Sequence, residues 1–282
     1  MTSVSWRLRI RHVTGFTYDG TAHASYNEAR MTPMSLPGQN TLYSHVETHP
    51  AATTWRYRDY WGTQVTSFDL QRGHQQLKVT ATSLVETAVS ETLPPEAPWS
   101  ALRGGDARDL YAELLTPTRL TEVDDELAGQ VDDLMRAEPT RAALRTAEWV
   151  HDTVAYVPGS TGVQTGAQEA WALRKGVCQD LAHLTVGLLR AHGIPARYVS
   201  GYLYPKRQGS VGETIEGQSH AWVEWWCGEW YGYDPTNAVP AGHRHVVVAR
   251  GRDYADVTPL KGVYHGAPAT HLGVTVEITR LA

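Results

Sequence analysis

Apolar and polar residues alternate from the start of the chain, with Trp6, Leu8 and Ile10 set between Arg7, Arg9 and Arg11. A period of two marks a half-buried β-strand. Runs of this kind recur at Trp6–Val13, Leu42–Glu47, Thr53–Tyr60 and Gln76–Glu86. Turn-forming stretches separate them at Pro33–Asn40, His49-Pro50, Trp61-Gly62 and Arg72-Gly73. Several short strands with turns between them predict an N-terminal β-sandwich over residues 1–92.

The pattern changes after Leu93-Pro94-Pro95-Glu96-Ala97-Pro98, which reads as a linker or a surface-hugging connection. Helical spacing then takes over, in a second domain over 93–282. Thr121 can cap a helix bearing Leu127, Val131 and Leu134, with Asp124 and Asp125 in its first turn. Thr140, after Pro139, can start another with Ala143, Ala147, Val150 and Val154 in register, ended by Pro158-Gly159. A loop rich in Gly, Thr and Gln leads to Gly166. From Cys178, apolar residues at Leu181, Leu184, Leu188 and Ala191 form a helical face, with Gly193 at the C′ position and Pro195 beyond it. Arg197–Tyr204 reads as a strand, His220–Cys227 and Trp230–Asp234 as a hairpin around Gly228, and Val246–Ala249 and Val274–Ile278 as later strands. The fold class is α+β.

Composition narrows the function. The 282 residues carry 25 Lys+Arg against 30 Asp+Glu, a net charge of −5, which disfavours nucleic acid as a partner. No apolar stretch approaches the roughly 18 residues that would cross a membrane. Trp 10 and Tyr 14 outnumber Phe 2, a bias toward aromatics with polar handles. Two cysteines are too few for a secreted disulfide scaffold of this length, and the first residues read as a strand rather than a signal peptide. These features lead to the expectation of a cytoplasmic protein with reduced thiols.

Two segments bear chemistry. Arg174-Lys175-Gly176-Val177-Cys178-Gln179-Asp180 puts a cysteine in the first turn of a helix, where free N–H groups and the positive dipole end favour a thiolate. Nearby Arg174 and Lys175 add positive charge. By itself Cys178 is more often a small buried hydrophobe. The second segment is the hairpin. With Trp226-Cys227-Gly228 as a three-residue turn and Gly228 at positive φ, Trp225 lies opposite Glu229 and, counting outward, His220 lies opposite Asp234. Opposed residues share a face, so Asp234 can accept from one imidazole nitrogen while the other faces outward. A two-residue turn would separate them, and a solvent-facing histidine with a strand-ending aspartate is the plain alternative.

Cysteine at a helix start, then histidine, then aspartate on strands, is a stronger signal together. On Gly176-Val177-Cys178-Gln179-Asp180, Gly193-Ile194-Pro195-Ala196-Arg197-Tyr198-Val199-Ser200-Gly201-Tyr202, Ser219-His220-Ala221-Trp222-Val223-Glu224, Asp234-Pro235-Thr236-Asn237 and the tail Ala249–Val257, the chain resembles the transglutaminase-like superfamily. More narrowly it resembles bacterial proteins joining a transglutaminase-like N-terminal domain to a transglutaminase core. The likeness is specific over about 160–260. It is thinner over 1–90, where it rests on Pro33, Gln39 and Trp61-Gly62. The resemblance implies a papain-like core, a nucleophile helix packed on an antiparallel sheet, with Cys178 as nucleophile, His220 as base and Asp234 as orienter.

The chemistry expected is attack of the Cys178 thiolate on a carboxamide, a Gln side chain or a peptide bond. The Cys178 N–H would meet the oxyanion, and Tyr156, Gln168 and Trp171 are candidates for a second donor, each commoner as a packing residue. A thioester would then pass to water or to an amine. Trp222, Trp225, Trp226, Trp230, Tyr231 and Tyr233 could exclude water, although core packing explains most such residues. Asp180 suits the helix dipole but would oppose a thiolate, and so is not read as catalytic; Cys227 is a bystander. The partner expected is a peptide or protein amide. The other readings are a cysteine peptidase, an acyl transferase drawing on a thioester carrier, and a catalytically silent binding or scaffold module. No cofactor and no metal is expected. His243-Arg244-His245 could place both histidines on one face, but there is no HExxH, no CxxC pair and no EF-hand loop.

Overall fold

The first strand continues well past Val13. In the computed structural model, which describes residues 5–88, 97–217 and 219–282, β1 runs Ser5–Ala29. Its two halves have different neighbours. The first pairs with β5 (His74–Ala88), from Ser5↔Ala88 to Thr17↔Gln76; the second pairs with β4 (Gln64–Leu70), from Ser25↔Leu70 to Ala29↔Thr66. β2 (Gln39–His49) extends the sheet beside β5, and β3 (Thr54–Arg58) extends it beside β4. Between the two layers lie Val46, Leu77, Val79 and Ala81 from one side and Phe68 and Leu70 from the other, with Tyr18, Ala22 and Ala29 of β1. The expected sandwich is thus one antiparallel sheet folded over along β1. Each large apolar side chain buried there contributes roughly 1.5–3 kcal/mol.

The second region supplies three longer helices, α1 (Pro139–Thr153), α2 (Ala167–Leu173) and α3 (Cys178–Ala191). Its strands are β6 (Ala196–Leu203), β7 (Thr214–Gly217), β8 (Ser219–Trp226), β9 (Trp230–Asp234), β10 (Val239–Pro240), β11 (His245–Gly251), β12 (Leu260–Gly266) and β13 (Ala269–Arg280). Five of them form a sheet in the order β10-β9-β8-β6-β11, antiparallel throughout. α3 is buried on two sides. Leu181, Leu184 and Leu188 pack against Val150 of α1 and Val154 just past its end, while Ala182, Val186 and Leu189 pack against Ala221, Val223 and Trp225 of β8. The expected helical face was therefore only half of what is covered. Gly193, at φ +78, ends the helix at the expected position.

Two helix boundaries differ from expectation. Asp124, not Thr121, caps the short helix Asp125–Gly129, accepting from the Leu127 N–H at 2.8 Å. The Thr121 hydroxyl is engaged by the Thr118 N–H and by Arg190. α1 stops at Thr153, before Pro158-Gly159. Strand β4 was not anticipated, because its inward Thr66 and its Ser67 blur the alternation.

The division at residue 92 describes chain order but not the sheets. β13 pairs with β1 from Leu8↔Arg280 to Tyr18↔Ala269, β12 pairs with the second half of β1, and β7 pairs with β13. Segment 93–282 therefore gives three strands to the N-terminal sheet. Trp6, Leu8, Ile10, Val276 and Ile278 also share one core with Tyr202, Tyr204, Val246 and Val248. Gln39 ties the regions further. Its amide accepts from the Val247 N–H and donates to the Val247 carbonyl, both at 2.8 Å, along the outer edge of β11. The Pro-rich residues 93–96 lie outside the described residues; Ala97 bonds to the Cys227 carbonyl.

Candidate active site

Cys178 is the first residue of α3 and is partly exposed. The short run Lys175–Gly176 pairs with Ala155–Tyr156 and delivers the chain to the helix start. There Asp180 folds back over the backbone. Its Oδ2 accepts from the Val177 N–H at 2.7 Å and from the Thr161 hydroxyl at 2.6 Å, which pins the Gly/Thr-rich loop to the helix. Gly176 permits this approach, since a Cβ there would lie 2.6 Å from the Asp180 Cβ. Burial pushes the Asp180 carboxyl above its ordinary range, against the pull of those two hydrogen bonds, and its Oδ1 is buried with no partner. Arg174, expected to lend charge to the sulfur, instead lies over the Trp171 ring at 3.1 Å.

The hairpin forms with its turn one residue later than expected. Trp226 pairs with Trp230 and Val223 with Tyr233, so the loop is Cys227–Glu229, with Gly228 at φ +101. The register is displaced by two residues, and an even displacement keeps facing parity. His220 and Asp234 meet diagonally rather than directly opposed, with Nε2 donating to Oδ2 at 2.7 Å. Asp234 and Cys178 are the two groups that raise the ring's affinity for a proton. Burial would push His220 down, but hydrogen bonds to Asp234 and to Cys178 outweigh it and raise it to about 10.

Asp234 is fully buried and saturated with donors. Oδ2 accepts from His220, from the Asn237 side-chain amide at 2.7 Å and from His245 Nε2 at 3.2 Å. Oδ1 accepts from the backbone of Thr236 and Asn237. Burial opposes its charge, yet the two imidazoles hold its carboxyl far below the usual range. His151 of α1 props the following turn by donating Nδ1–H to the Pro235 carbonyl at 2.9 Å. Trp222 stacks on His220 at 6.2 Å and meets His245 edge-on at 5.2 Å. It lies over Gly201, where a Cβ would come within 2.7 Å of the indole and 2.0 Å of the Val246 carbonyl.

The remaining sequence candidates separate cleanly. Gln168 exchanges hydrogen bonds with Asp124, and Trp171 packs on Trp149 at 5.0 Å. Tyr156 is half-exposed, and its hydroxyl is pushed up by burial and, to a lesser extent, by Cys178 and Asp234. Trp225 and Tyr233 are core, Arg197 covers Trp230 at 3.8 Å, and Cys227 is buried. His245 was noted in the sequence only through its spacing from His243. That period of two was the available signal, but it gave no hint of Asp234 as partner.

Among the described residues, one group of His, Cys, Asp and Glu could share a cation: His220, Asp234 and His245 place a donor atom each within 4.8 Å of one another. Hydrogen bonds between these atoms account for the closeness. No helix among the described residues is long and apolar enough to cross a membrane.

Comparison with known proteins matches residues 127–235 to the transglutaminase-like superfamily and residues 8–86 to the bacterial transglutaminase-like N-terminal region. A Mycobacterium leprae protein of uncharacterised function is 48% identical over 278 residues, 98% of this chain and 100% of the relative. A protein-glutamine gamma-glutamyltransferase of Pseudomonas aeruginosa is 34% identical over 117 residues, 38% of this chain and 18% of that one. A crystal structure of a candidate cysteine protease from Cytophaga hutchinsonii superposes with a TM-score of 0.78 at 23% identity, covering 99% of this chain and 92% of that chain, which shows a shared fold.

Proposed function

The chain belongs to the transglutaminase-like superfamily, and on that footing we propose that it is a cysteine acyl-transfer enzyme acting on amides of peptides or proteins. The observation that carries the reading is the buried His220–Asp234 pair, joined at 2.7 Å, with the helix-start Cys178 among the groups that raise the imidazole's affinity for a proton. In this reading His220 holds the proton of Cys178, so the sulfur is poised as a thiolate beside an imidazolium.

The thiolate attacks the carboxamide carbon, a C–S bond forms, and the carbonyl electrons move to oxygen. The N–H groups at the start of α3, which have no helical partner, face that developing charge. The oxyanion collapses, the C–N bond breaks, and His220 gives its proton to the departing amine. The thioester is then attacked by water or by a second amine, whose proton returns to His220 as the C–S bond breaks. The likeness to a protein-glutamine gamma-glutamyltransferase makes a glutamine side chain the first substrate to try.

The test is incubation with a Gln-containing peptide and a labelled primary amine. Label in the peptide means transamidation; Gln converted to Glu, or a cleaved chain, means hydrolysis. Cys178→Ala should lose all of this turnover, and full turnover in that variant would overturn the assignment.

A further inference from the structure

Asp234 serves two imidazoles, and their surroundings differ. His220 is raised by Cys178 as well as by Asp234. His245 turns Nδ1 to the backbone N–H of Gly242, from which it accepts at 3.0 Å. An acceptor nitrogen carries no hydrogen, so the proton of His245 sits on Nε2, aimed at Asp234 Oδ2. A second proton would set the Gly242 N–H against another N–H inside a buried pocket. His245 is therefore a neutral donor by construction, while His220 is free to change charge.

We propose that His245 is a positioning residue of this active site: it holds Asp234 in the rotamer that orients His220, and does so without bringing a competing positive charge. This rests on the assignment of Cys178, His220 and Asp234 made above. A cationic His245 would repel the His220 imidazolium. Burial keeps it from charging, against the pull of Asp234, and both His220 and Arg244 push in the same direction as burial. Trp222, packed on both rings, fixes their spacing.

The test reads Cys178 directly, through the pH dependence of its alkylation by iodoacetamide in the full chain. In wild type the thiolate should persist into acid because His220 stays charged. His245→Leu fills the space but donates nothing, and the acid limb of the profile should move up by about one pH unit, a tenfold change in proton concentration. His245→Gln restores an N–H near Nε2 and should return the limb close to wild type, even where both variants lose thermal stability. An unmoved limb in folded His245→Leu would make His245 a packing residue and overturn the proposal. If His245→Leu does not fold, ring ¹⁵N shifts of the wild-type protein decide. Between about pH 5 and 9 His245 should remain neutral with its proton on Nε2, and a proton on Nδ1 or a cationic ring overturns the proposal. Failure of the underlying site looks different: wild-type Cys178 would then react no faster in acid than a simple thiol.

Discussion

Two buried aspartates belong to the candidate site and are treated in opposite ways. Asp234 has both oxygens occupied by donors and is held firmly ionised. Asp180 has one oxygen that accepts two hydrogen bonds and another that accepts none among the described residues, and burial pushes its carboxyl up. Burial costs a carboxylate its hydration in both places. What differs is the number and kind of donors, two imidazoles and an amide side chain among them on one side, a hydroxyl and a backbone N–H on the other. Asp234 is built to hold a charge that another group uses, and Asp180 to fasten a loop to a helix end.

The largest expected contrast is in rate. Asp234→Asn should slow acyl transfer on the order of 10³–10⁴-fold, because an amide can favour the wrong imidazole tautomer. Asp180→Asn retains an acceptor for the Val177 N–H and Thr161 and should cost less than about tenfold. Equal losses in the two variants would erase the distinction.

A smaller effect is expected from the glycine under each aspartate's neighbourhood. Gly201→Ala drives a methyl into the Val246 carbonyl and Trp222 and should destabilise by about 2–3 kcal/mol. Gly176→Ala presses on Asp180 and should cost about 1–2 kcal/mol. Thermal unfolding measures both, and only the first should also slow Cys178 alkylation, through the displaced indole.

The smallest and sharpest test is the sign of a pH trend. A carboxyl lowered on folding, as in Asp234, stabilises above its unfolded value near 3.8 and loses that contribution as pH falls. A carboxyl raised on folding, as in Asp180, does the reverse: the folded state binds the extra proton, and stability declines as pH rises through the shifted value. Melting temperatures should therefore show Asp234→Asn closing on wild type as pH falls below about 4, where the contribution of a lowered carboxyl is lost, and Asp180→Asn gaining on wild type as pH rises above about 4. Parallel trends would contradict the contrast.

The sequence made the pair legible for a simple reason. Facing parity along a hairpin survives any even error in register, so His220 and Asp234 could be matched although the turn lay one residue later. Cys178 was marked by a helix start that local spacing reveals. His245 depended on something not local: it opens a strand at the far side of β6, and that long-range pairing brings it to Asp234. The same holds for the fold. Short alternating runs announced β2, β3 and β5, but nothing local says that β12 and β13 return to flank β1.

The amide of Gln39 acts at Val247 as a strand one residue wide. Beside it, Met34 bonds to the Val247 carbonyl and packs with Leu36 against Trp222. Severing the chain at residue 92 would strip that cover from β11 and leave β13 without β1, baring two sheet margins inviting self-association. In this chain the C-terminal region is therefore no portable cassette; the first ninety residues would have to travel with it.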